Sequence, residues 1–221
     1  MTERCQFGAL FDNDGVVLNT EPQYALFWNE QAKIFHPELT NFHSYLLGIS
    51  LTETLDTYFS NNEEDRKTVV KRLYDYEDHM AYEYFPGAED FLKILKEKNV
   101  PTALVTSSNN DKMGKIINKH PEFHQLFNDI ITANRVSKTK PNPECYKEGA
   151  KAINMDPKRC IVFEDSVAGI KAGKDAGCFV VGLTTTNSKE VIEKIADCVI
   201  EDLSKISYEY IEKFILPKLP N

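Results

Sequence analysis

The sequence predicts a doubly wound α/β fold, in which helices cover both faces of a parallel sheet and a small all-helical domain follows the first strand. Short apolar runs of strand length alternate along the chain with segments of helical periodicity, a pattern typical of parallel sheets. Residues 16–85 depart from this alternation and show helical periodicity in three stretches with no strand-like run between them. We therefore expect a core domain of residues 1–15 and 86–221 and a helical domain of residues 16–85.

The elements of the core domain follow one another in regular order. Each predicted strand is an apolar run, and each predicted helix has apolar residues at three- and four-residue steps. The predicted strands are Gln6–Phe11, Val100–Val105, Asp129–Thr132, Cys160–Phe163 and Phe179–Leu183. The predicted helices are Gly87–Lys98, Asp111–Lys119, Pro143–Ile153 and Ser166–Ala176.

The helical domain also differs from the rest of the chain in composition. It contains twelve acidic and five basic residues, a net charge of −7, and thirteen of the 24 aromatic residues. Its predicted helices are Glu21–Phe35, Leu51–Phe59 and Glu63–Phe85. Because aromatic side chains bury large apolar areas, we expect this segment to form a small core of its own.

Composition limits the classes of partner. With a net charge of −8 over 221 residues, the chain lacks the basic surface that nucleic acids and anionic membranes attract. No apolar stretch reaches the roughly 18 residues of a membrane span, and the first residues lack a signal-peptide pattern. The five cysteines are scattered and odd in number, which is typical of reduced thiols. We expect a cytoplasmic monomer that binds neither nucleic acid nor membrane.

Polar residues of matching chemistry lie at the ends of four predicted strands. They are Asp12 and Asp14 after the first strand, Thr106 after the second, Lys140 after the third, and Glu164 and Asp165 at the end of the fourth. Because ligands of open parallel sheets bind beyond the carboxyl ends of the strands, we expect these side chains to converge.

This group of residues has the chemistry of phosphoryl transfer. Carboxylates gathered at one edge repel one another unless a cation lies among them, and oxygen ligands beside a phosphate site favour Mg²⁺. An ionised Asp12 can attack phosphorus, while Asp14 can protonate the leaving group and later activate water. The Thr106 hydroxyl can bind phosphoryl oxygens, and the Lys140 ammonium can neutralise charge in the transition state.

Four segments carry these residues in a characteristic order. They are Asp12-Asn13-Asp14-Gly15-Val16, Leu104-Val105-Thr106-Ser107-Ser108, Lys140-Pro141-Asn142-Pro143-Glu144 and Val162-Phe163-Glu164-Asp165-Ser166. Together they resemble the four motifs of the haloacid dehalogenase superfamily, in the branch that contains β-phosphoglucomutase and small sugar-phosphate phosphatases. The helical domain resembles the cap domain of that branch, so the resemblance extends over essentially the whole chain.

The resemblance implies roles for individual residues. It implies an aspartyl-phosphate on Asp12, acid–base catalysis by Asp14, and Mg²⁺ bound by Asp12, the Asp14 backbone carbonyl and Asp165, with Glu164 close by. Dehalogenases of the superfamily lack the second acid of the first motif, so Asp14 favours a phosphate ester over an organohalide. Substrate contacts are expected at Ser107, Ser108, Asn109, Tyr24, Gly48 and Leu51. The expected substrate is a small phosphorylated metabolite, a sugar or polyol phosphate.

A phosphohexomutase of the β-phosphoglucomutase type is the alternative reaction. In that mutase an Arg follows the Gly-x-Ser segment of the cap, whereas here Leu51 follows Gly48-Ile49-Ser50. The His that lies shortly after the first motif of the mutase is replaced by Tyr24, and its cap Lys has two candidates, Lys67 and Lys71. These differences favour hydrolysis.

Two functions of other classes use part of the same residue set. A signalling receiver domain also combines a phosphorylated Asp, a Thr or Ser and a Lys on a doubly wound sheet. Its phosphorylated Asp follows a later strand, however, whereas the predicted nucleophile Asp12 follows the first. A catalytically silent binding protein has no need for the acids and the lysine that are intact here.

Overall fold

The computed structural model of the chain describes residues 6–46 and 49–220. Its strands are β1 (Gly8–Phe11), β2 (Thr102–Val105), β3 (Asp129–Ile131), β4 (Cys160–Glu164), β5 (Phe179–Leu183) and β6 (Cys198–Ile200). All neighbouring strands are parallel, and their order in the sheet is β3-β2-β1-β4-β5-β6. The predicted doubly wound α/β fold is therefore confirmed, and the prediction missed only the short strand β6 among those described.

Helices connect the strands and form the segment between β1 and β2. The α-helices are α1 (Glu21–Phe35), α2 (Leu51–Tyr58), α3 (Glu63–Glu77), α4 (Ala88–Glu97), α5 (Asn110–Lys119), α6 (Phe123–Leu126), α7 (Glu144–Ala152), α8 (Val167–Ala176), α9 (Lys189–Ile192) and α10 (Tyr208–Tyr210). Short 3₁₀ turns occur at Phe42–Tyr45, Ala133–Arg135, Pro157–Arg159, Leu203–Lys205 and Leu216–Lys218, and a π-helical turn at Ile211–Ile215. Within residues 6–46 and 49–220, none of these helices has the length and apolar character that crossing a bilayer requires.

The chain divides into two compact units. Thr20–Tyr82 forms the helical unit, and the residues before and after it form the α/β unit. The backbone N–H of Val17 donates to the Asn13 carbonyl, and that of Phe85 donates to the Val17 carbonyl. These bonds tie the flanking residues to the α/β unit, so the helical unit is a few residues shorter at each end than the predicted domain.

The helical unit has a core of its own, rich in aromatic side chains. Its buried members include Phe27, Trp28, Phe42, Leu55, Phe59, Val69 and Leu73. Helix α3 begins after Asn62, whose side chain accepts hydrogen bonds from the backbone N–H groups of Glu64 and Asp65. The acidic first turn therefore lies at the end of the helix where the dipole favours negative charge.

Helix α3 is shorter than its sequence periodicity predicts. The prediction extended it to Phe85, but it ends at Glu77. Tyr82 has a φ of 52°, which a right-handed helix cannot accommodate. The backbone N–H of Ala81 donates instead to Gln23 Oε1 on α1, at 2.9 Å.

The strand order creates a crevice between β1 and β4. Successive strands run outward from β1 on one side of the sheet and from β4 on the other, and open α/β sheets bind ligands at such a reversal. Phe11 pairs with Phe163 in the register of these strands, and their rings stack with centres 4.6 Å apart. The next residues, Asp12 and Glu164, therefore come side by side at the carboxyl ends of the strands.

Candidate active site

Asp12 and Lys140 form a buried ion pair at the carboxyl end of β1. Lys140 Nζ lies 2.7 Å from Asp12 Oδ1, and the two side chains are 7% and 12% exposed. The same ammonium donates to the Val105 carbonyl oxygen at 3.2 Å and lies 5.0 Å from the centre of the Tyr146 ring. The loop after β3 thus brings Lys140 to Asp12, as the strand-end pattern predicts.

The Glu164 carboxylate lies beside this pair and is fully buried. Its Oε1 accepts hydrogen bonds from Lys140 Nζ at 2.7 Å and from the Tyr146 hydroxyl at 3.0 Å. Its Oε2 accepts from the backbone N–H groups of Asp165 and Ser166, at 2.9 and 2.8 Å, and from the Ser166 hydroxyl at 3.0 Å. Five donors therefore fix both carboxylate oxygens.

Two glycines leave the space that the acids occupy. A Cβ at Gly169 would lie 1.5 Å from Glu164 Oε1, so the carboxylate fits only because helix α8 has no side chain there. Gly15 has a φ of 82°, and a Cβ there would lie 1.9 Å from Asp165 Oδ2. The close approach of Asp165 to the turn after β1 therefore requires glycine at position 15.

Burial and neighbouring charges set the protonation of the central groups. Burial raises the pKa of Asp12 to about 7, because loss of hydration outweighs the attraction of the Lys140 ammonium. Burial opposes the charged form of Lys140, yet the carboxylates of Asp12 and Glu164 raise its pKa above the usual range. Burial and then the Glu164 carboxylate likewise raise the pKa of Tyr146. Lys140 therefore stays an ammonium at neutral pH.

The acidic residues fit a hard divalent cation. Asp12, Glu164 and Asp165 are buried and place carboxylate oxygens within 4.8 Å of one another. The donor set contains only oxygen, which Mg²⁺ prefers. Ionised carboxylates this close together repel one another, and a bound divalent cation would balance their charge.

Asp14 lies in the turn after β1 and contacts two residues from the segment after β2. Lys112 Nζ lies 2.8 Å from Asp14 Oδ1 and 2.9 Å from Oδ2. The Ser108 hydroxyl donates to Oδ2 at 3.2 Å. The motifs did not identify Lys112, because a single lysine in a helical segment is most often solvated.

Three further predicted residues lie between β2 and α5. The Thr106 hydroxyl accepts a hydrogen bond from the Ser108 N–H at 3.0 Å, so its own hydrogen can be donated to another acceptor. Ser107 is exposed. The Asn109 side chain accepts from the Lys112 N–H at 2.9 Å and caps helix α5, a structural role that the sequence analysis did not assign to it.

The loop after β5 also reaches this edge of the sheet. The Thr185 hydroxyl donates to the Gly15 carbonyl at 2.5 Å, and the Asn187 amide donates to the Asp165 carbonyl at 2.9 Å. Neither residue is among those predicted from the sequence, although both follow a strand end and the same rule could have identified them.

The remaining predicted substrate contacts belong to the helical unit. The Tyr24 hydroxyl donates to Glu77 Oε1 at 3.0 Å, and Leu51 is the first residue of α2, which Ser50 caps. Gly48 lies outside the described residues. Contacts of these residues with substrate stay predictions.

Comparison with known proteins defines the family. A model of the family described as haloacid dehalogenase-like hydrolase matches residues 9–183. The chain belongs to this family. The hydrolase is 31% identical over 211 residues to validoxylamine A 7′-phosphate phosphatase of Streptomyces hygroscopicus subsp. limoneus, a match covering 92% of this chain and 97% of the relative. It is 27% identical over 208 residues to hexitol phosphatase A of Escherichia coli, covering 92% and 94% of the two chains.

Solved structures give the same assignment of fold. The hydrolase is similar to β-phosphoglucomutase from Clostridium difficile, with a TM-score of 0.78 and 28% identity over 95% of this chain and 96% of that chain. A hydrolase of the family from Entamoeba histolytica has a TM-score of 0.80 at 24% identity, covering 92% and 96%, and shows the fold alone. The family match and the phosphatase names of the sequence relatives support a phosphoric monoester hydrolase.

Proposed function

We propose that this hydrolase releases phosphate from a small sugar or polyol phosphate through an aspartyl-phosphate on Asp12. The observation that carries the proposal is the buried cluster at the carboxyl ends of β1 and β4, where the Lys140 ammonium joins Asp12 to Glu164. Relatives named for phosphatase activity on hexitol phosphates and on validoxylamine A 7′-phosphate support the substrate class.

Asp12 is the proposed nucleophile. Lys140 binds Oδ1, so we assign Oδ2 as the attacking oxygen. A bond forms between Asp12 Oδ2 and phosphorus while the bond from phosphorus to the leaving oxygen breaks. The Lys140 ammonium and the Thr106 hydroxyl lie at the same strand ends and are positioned to bind the phosphoryl oxygens.

Asp12 and Asp165, together with the Asp14 backbone carbonyl, are the residues that would hold Mg²⁺. When bound, Mg²⁺ supplies positive charge that favours the ionised carboxylate and neutralises the phosphoryl group. Both Glu164 oxygens already accept hydrogen bonds, so we assign Glu164 to orienting Lys140 and Asp165 rather than to direct ligation.

Asp14 moves the protons in the proposed reaction. Its carboxyl gives a proton to the leaving oxygen as the bond to phosphorus breaks, and the alcohol departs. The resulting carboxylate then takes a proton from the water that attacks the phosphorus of the aspartyl-phosphate, which restores Asp12 and releases phosphate.

The mutase alternative is not favoured. Leu51 occupies the position after the Gly-x-Ser segment where the mutase has an Arg, and Tyr24 replaces its His. The Tyr24 hydroxyl is bonded to Glu77 in the helical unit. Relatives with phosphatase names cover more than nine-tenths of the chain.

We also propose that the hydrolase is a cytoplasmic monomer. The free thiols among the described residues include Cys145, Cys160 and Cys178, all buried and without a disulfide. Reduced buried thiols are typical of a reducing compartment. Size-exclusion chromatography with light scattering tests the monomer, and a dimer mass would contradict it.

A phosphate-release screen tests the proposed activity. Sugar, polyol and nucleotide monophosphates are incubated with the protein with Mg²⁺ and with a chelator, beside an isomerisation assay on β-glucose 1-phosphate. We expect Mg²⁺-dependent release from sugar or polyol phosphates, and none from a folded Asp12→Asn variant. Accumulation of glucose 6-phosphate would show a mutase, and wild-type turnover by Asp12→Asn would remove the proposed nucleophile.

A further inference from the structure

Lys112 forms a close ion pair with Asp14, the proposed proton donor. The ammonium contacts both carboxylate oxygens, at 2.8 and 2.9 Å, across 98 residues of sequence. The Lys112 side chain is 12% exposed and that of Asp14 is 20% exposed. Water therefore screens this pair less than the ion pairs on the surface, most of which expose more than half of their lysine side chains.

The position of Lys112 in its helix is unfavourable by itself. It is the third residue of α5, in the first turn, where the helix dipole repels positive charge. Its long side chain also loses rotamer freedom and hydration when it is buried. The contact with Asp14 offsets part of these costs.

The Asp14 carboxylate is contacted by two side chains of the segment 108–112. Lys112 contacts both oxygens, and the Ser108 hydroxyl donates to Oδ2 at 3.2 Å. Asn109 caps α5 by accepting the backbone N–H of Lys112, which fixes the turn from which the ammonium extends. The segment that follows Thr106, the residue proposed to bind the phosphoryl oxygens, therefore also fixes the orientation of the acid.

We propose that Lys112 is a positioning residue that orients the Asp14 carboxyl for proton transfer to the leaving oxygen. The role rests on the proposed function. As the bond from phosphorus to the leaving oxygen breaks, the proton moves from Asp14 to that oxygen, and the ammonium bonds to the carboxylate that remains, the form in which both Asp14 oxygens accept hydrogen bonds as they do in the structure. Lys112 itself gains and loses no proton.

Leaving-group dependence tests this role. The leaving oxygen of phenyl phosphate is much more basic than that of 2,4-dinitrophenyl phosphate, which departs without a proton, so proton donation assists the departure of phenol far more. We expect Lys112→Met to lower kcat/KM for phenyl phosphate by about 10- to 100-fold and to change the value for dinitrophenyl phosphate by less than about threefold. The ratio of the two values is independent of the folded fraction, so partial misfolding cannot imitate the effect.

Three variants provide the controls. Lys112→Arg keeps the charge and should recover most of the phenyl phosphate activity. Asp14→Asn combined with Lys112→Met should be no slower than Asp14→Asn alone, because Lys112 acts through Asp14. Lys119→Met removes an exposed lysine from the same helix and should leave both substrates unchanged.

The outcomes separate the two proposals. Equal loss on both substrates in Lys112→Met, or additive loss in the double variant, overturns the positioning role while the hydrolase proposal stands. If the wild-type protein releases phosphate from neither the aryl phosphates nor any sugar or polyol phosphate with Mg²⁺, or Asp12→Asn hydrolyses both aryl phosphates at the wild-type rate, the proposed function fails and the role of Lys112 fails with it.

Discussion

Glu164→Gln is the substitution that most directly perturbs the buried cluster. It replaces one carboxylate oxygen with an amide nitrogen and removes one negative charge, with almost no change in shape. In the structure every group that contacts the Glu164 oxygens is a donor, including Lys140 and Tyr146 on Oε1 and Ser166 on Oε2. In either amide orientation, the new NH₂ group faces donors.

The contacts set the size of the effect. With the NH₂ group on the Oε1 side, the bonds from Lys140 and Tyr146 are lost; on the Oε2 side, those from Asp165 and Ser166 are lost. Removing one partner of a buried ion pair costs about 3–5 kcal/mol. Relief of the repulsion between Glu164 and Asp12 offsets part of this cost. We expect a loss of about 3 kcal/mol, which lowers Tm by roughly 6–12 °C for a chain of this size.

Urea unfolding of the wild-type and variant proteins measures the difference. Glu148→Gln is the matched control, because Glu148 is 37% exposed and its partner Lys151 is 76% exposed. That substitution should change the free energy of unfolding by no more than about 0.5 kcal/mol. A loss below about 1 kcal/mol for Glu164→Gln would refute the reasoning that these hydrogen bonds fix the cluster.

Three further predictions concern packing, helix capping and pH. Gly169→Ala should lower the free energy of unfolding by more than about 3 kcal/mol, because the added Cβ would overlap Glu164 Oε1. Gly114→Ala is the control: its Cβ meets nothing within 4 Å, so the substitution should raise the free energy of unfolding by about 0.5–1 kcal/mol. Thermal unfolding measures both. Asn62→Ala should cost about 1 kcal/mol in urea unfolding, because α3 loses its cap, and an unchanged midpoint would contradict this. Burial raises the pKa of Cys160 to about 12. Above about pH 8.5 the thiol ionises in the unfolded chain but stays protonated in the folded protein, so the free energy of unfolding falls by roughly 1.4 kcal/mol per pH unit. In urea unfolding above that pH, the free energy of unfolding should fall less steeply with pH for Cys160→Ala than for the wild-type protein. Identical pH dependence in the two proteins would count against the raised pKa.

Sequence periodicity predicted the parallel sheet and five of its described strands, but it predicted the ends of helices less well. Strand β6 is only three residues long, Cys198–Ile200, too short for a distinct apolar run. The end of α3 depends on the backbone conformation of Tyr82 and on a contact between Gln23 and Ala81. Such tertiary contacts leave no periodic signal in the sequence.

The rule that ligands bind beyond the carboxyl ends of parallel strands predicted the acids and Lys140, because these residues follow strands. The partners that orient them were harder to predict. Lys112 and Tyr146 lie within helices, where neither spacing nor composition distinguishes them from solvated or core residues. The same holds for Gly169, whose close approach to Glu164 arises from the packing of α8 against the end of β4 and leaves no pattern in the sequence.

Trapping the phosphoenzyme tests whether Asp12 is the residue that takes the phosphoryl group. The protein is mixed with a sugar phosphate that it hydrolyses, quenched in acid within a single turnover, and digested for mass spectrometry. We expect one added phosphoryl group on the peptide that contains Asp12, and none on that peptide in Asp12→Asn. Turnover with no phosphorylated Asp12 at any quench time, or a phosphoryl group on another residue, would contradict it.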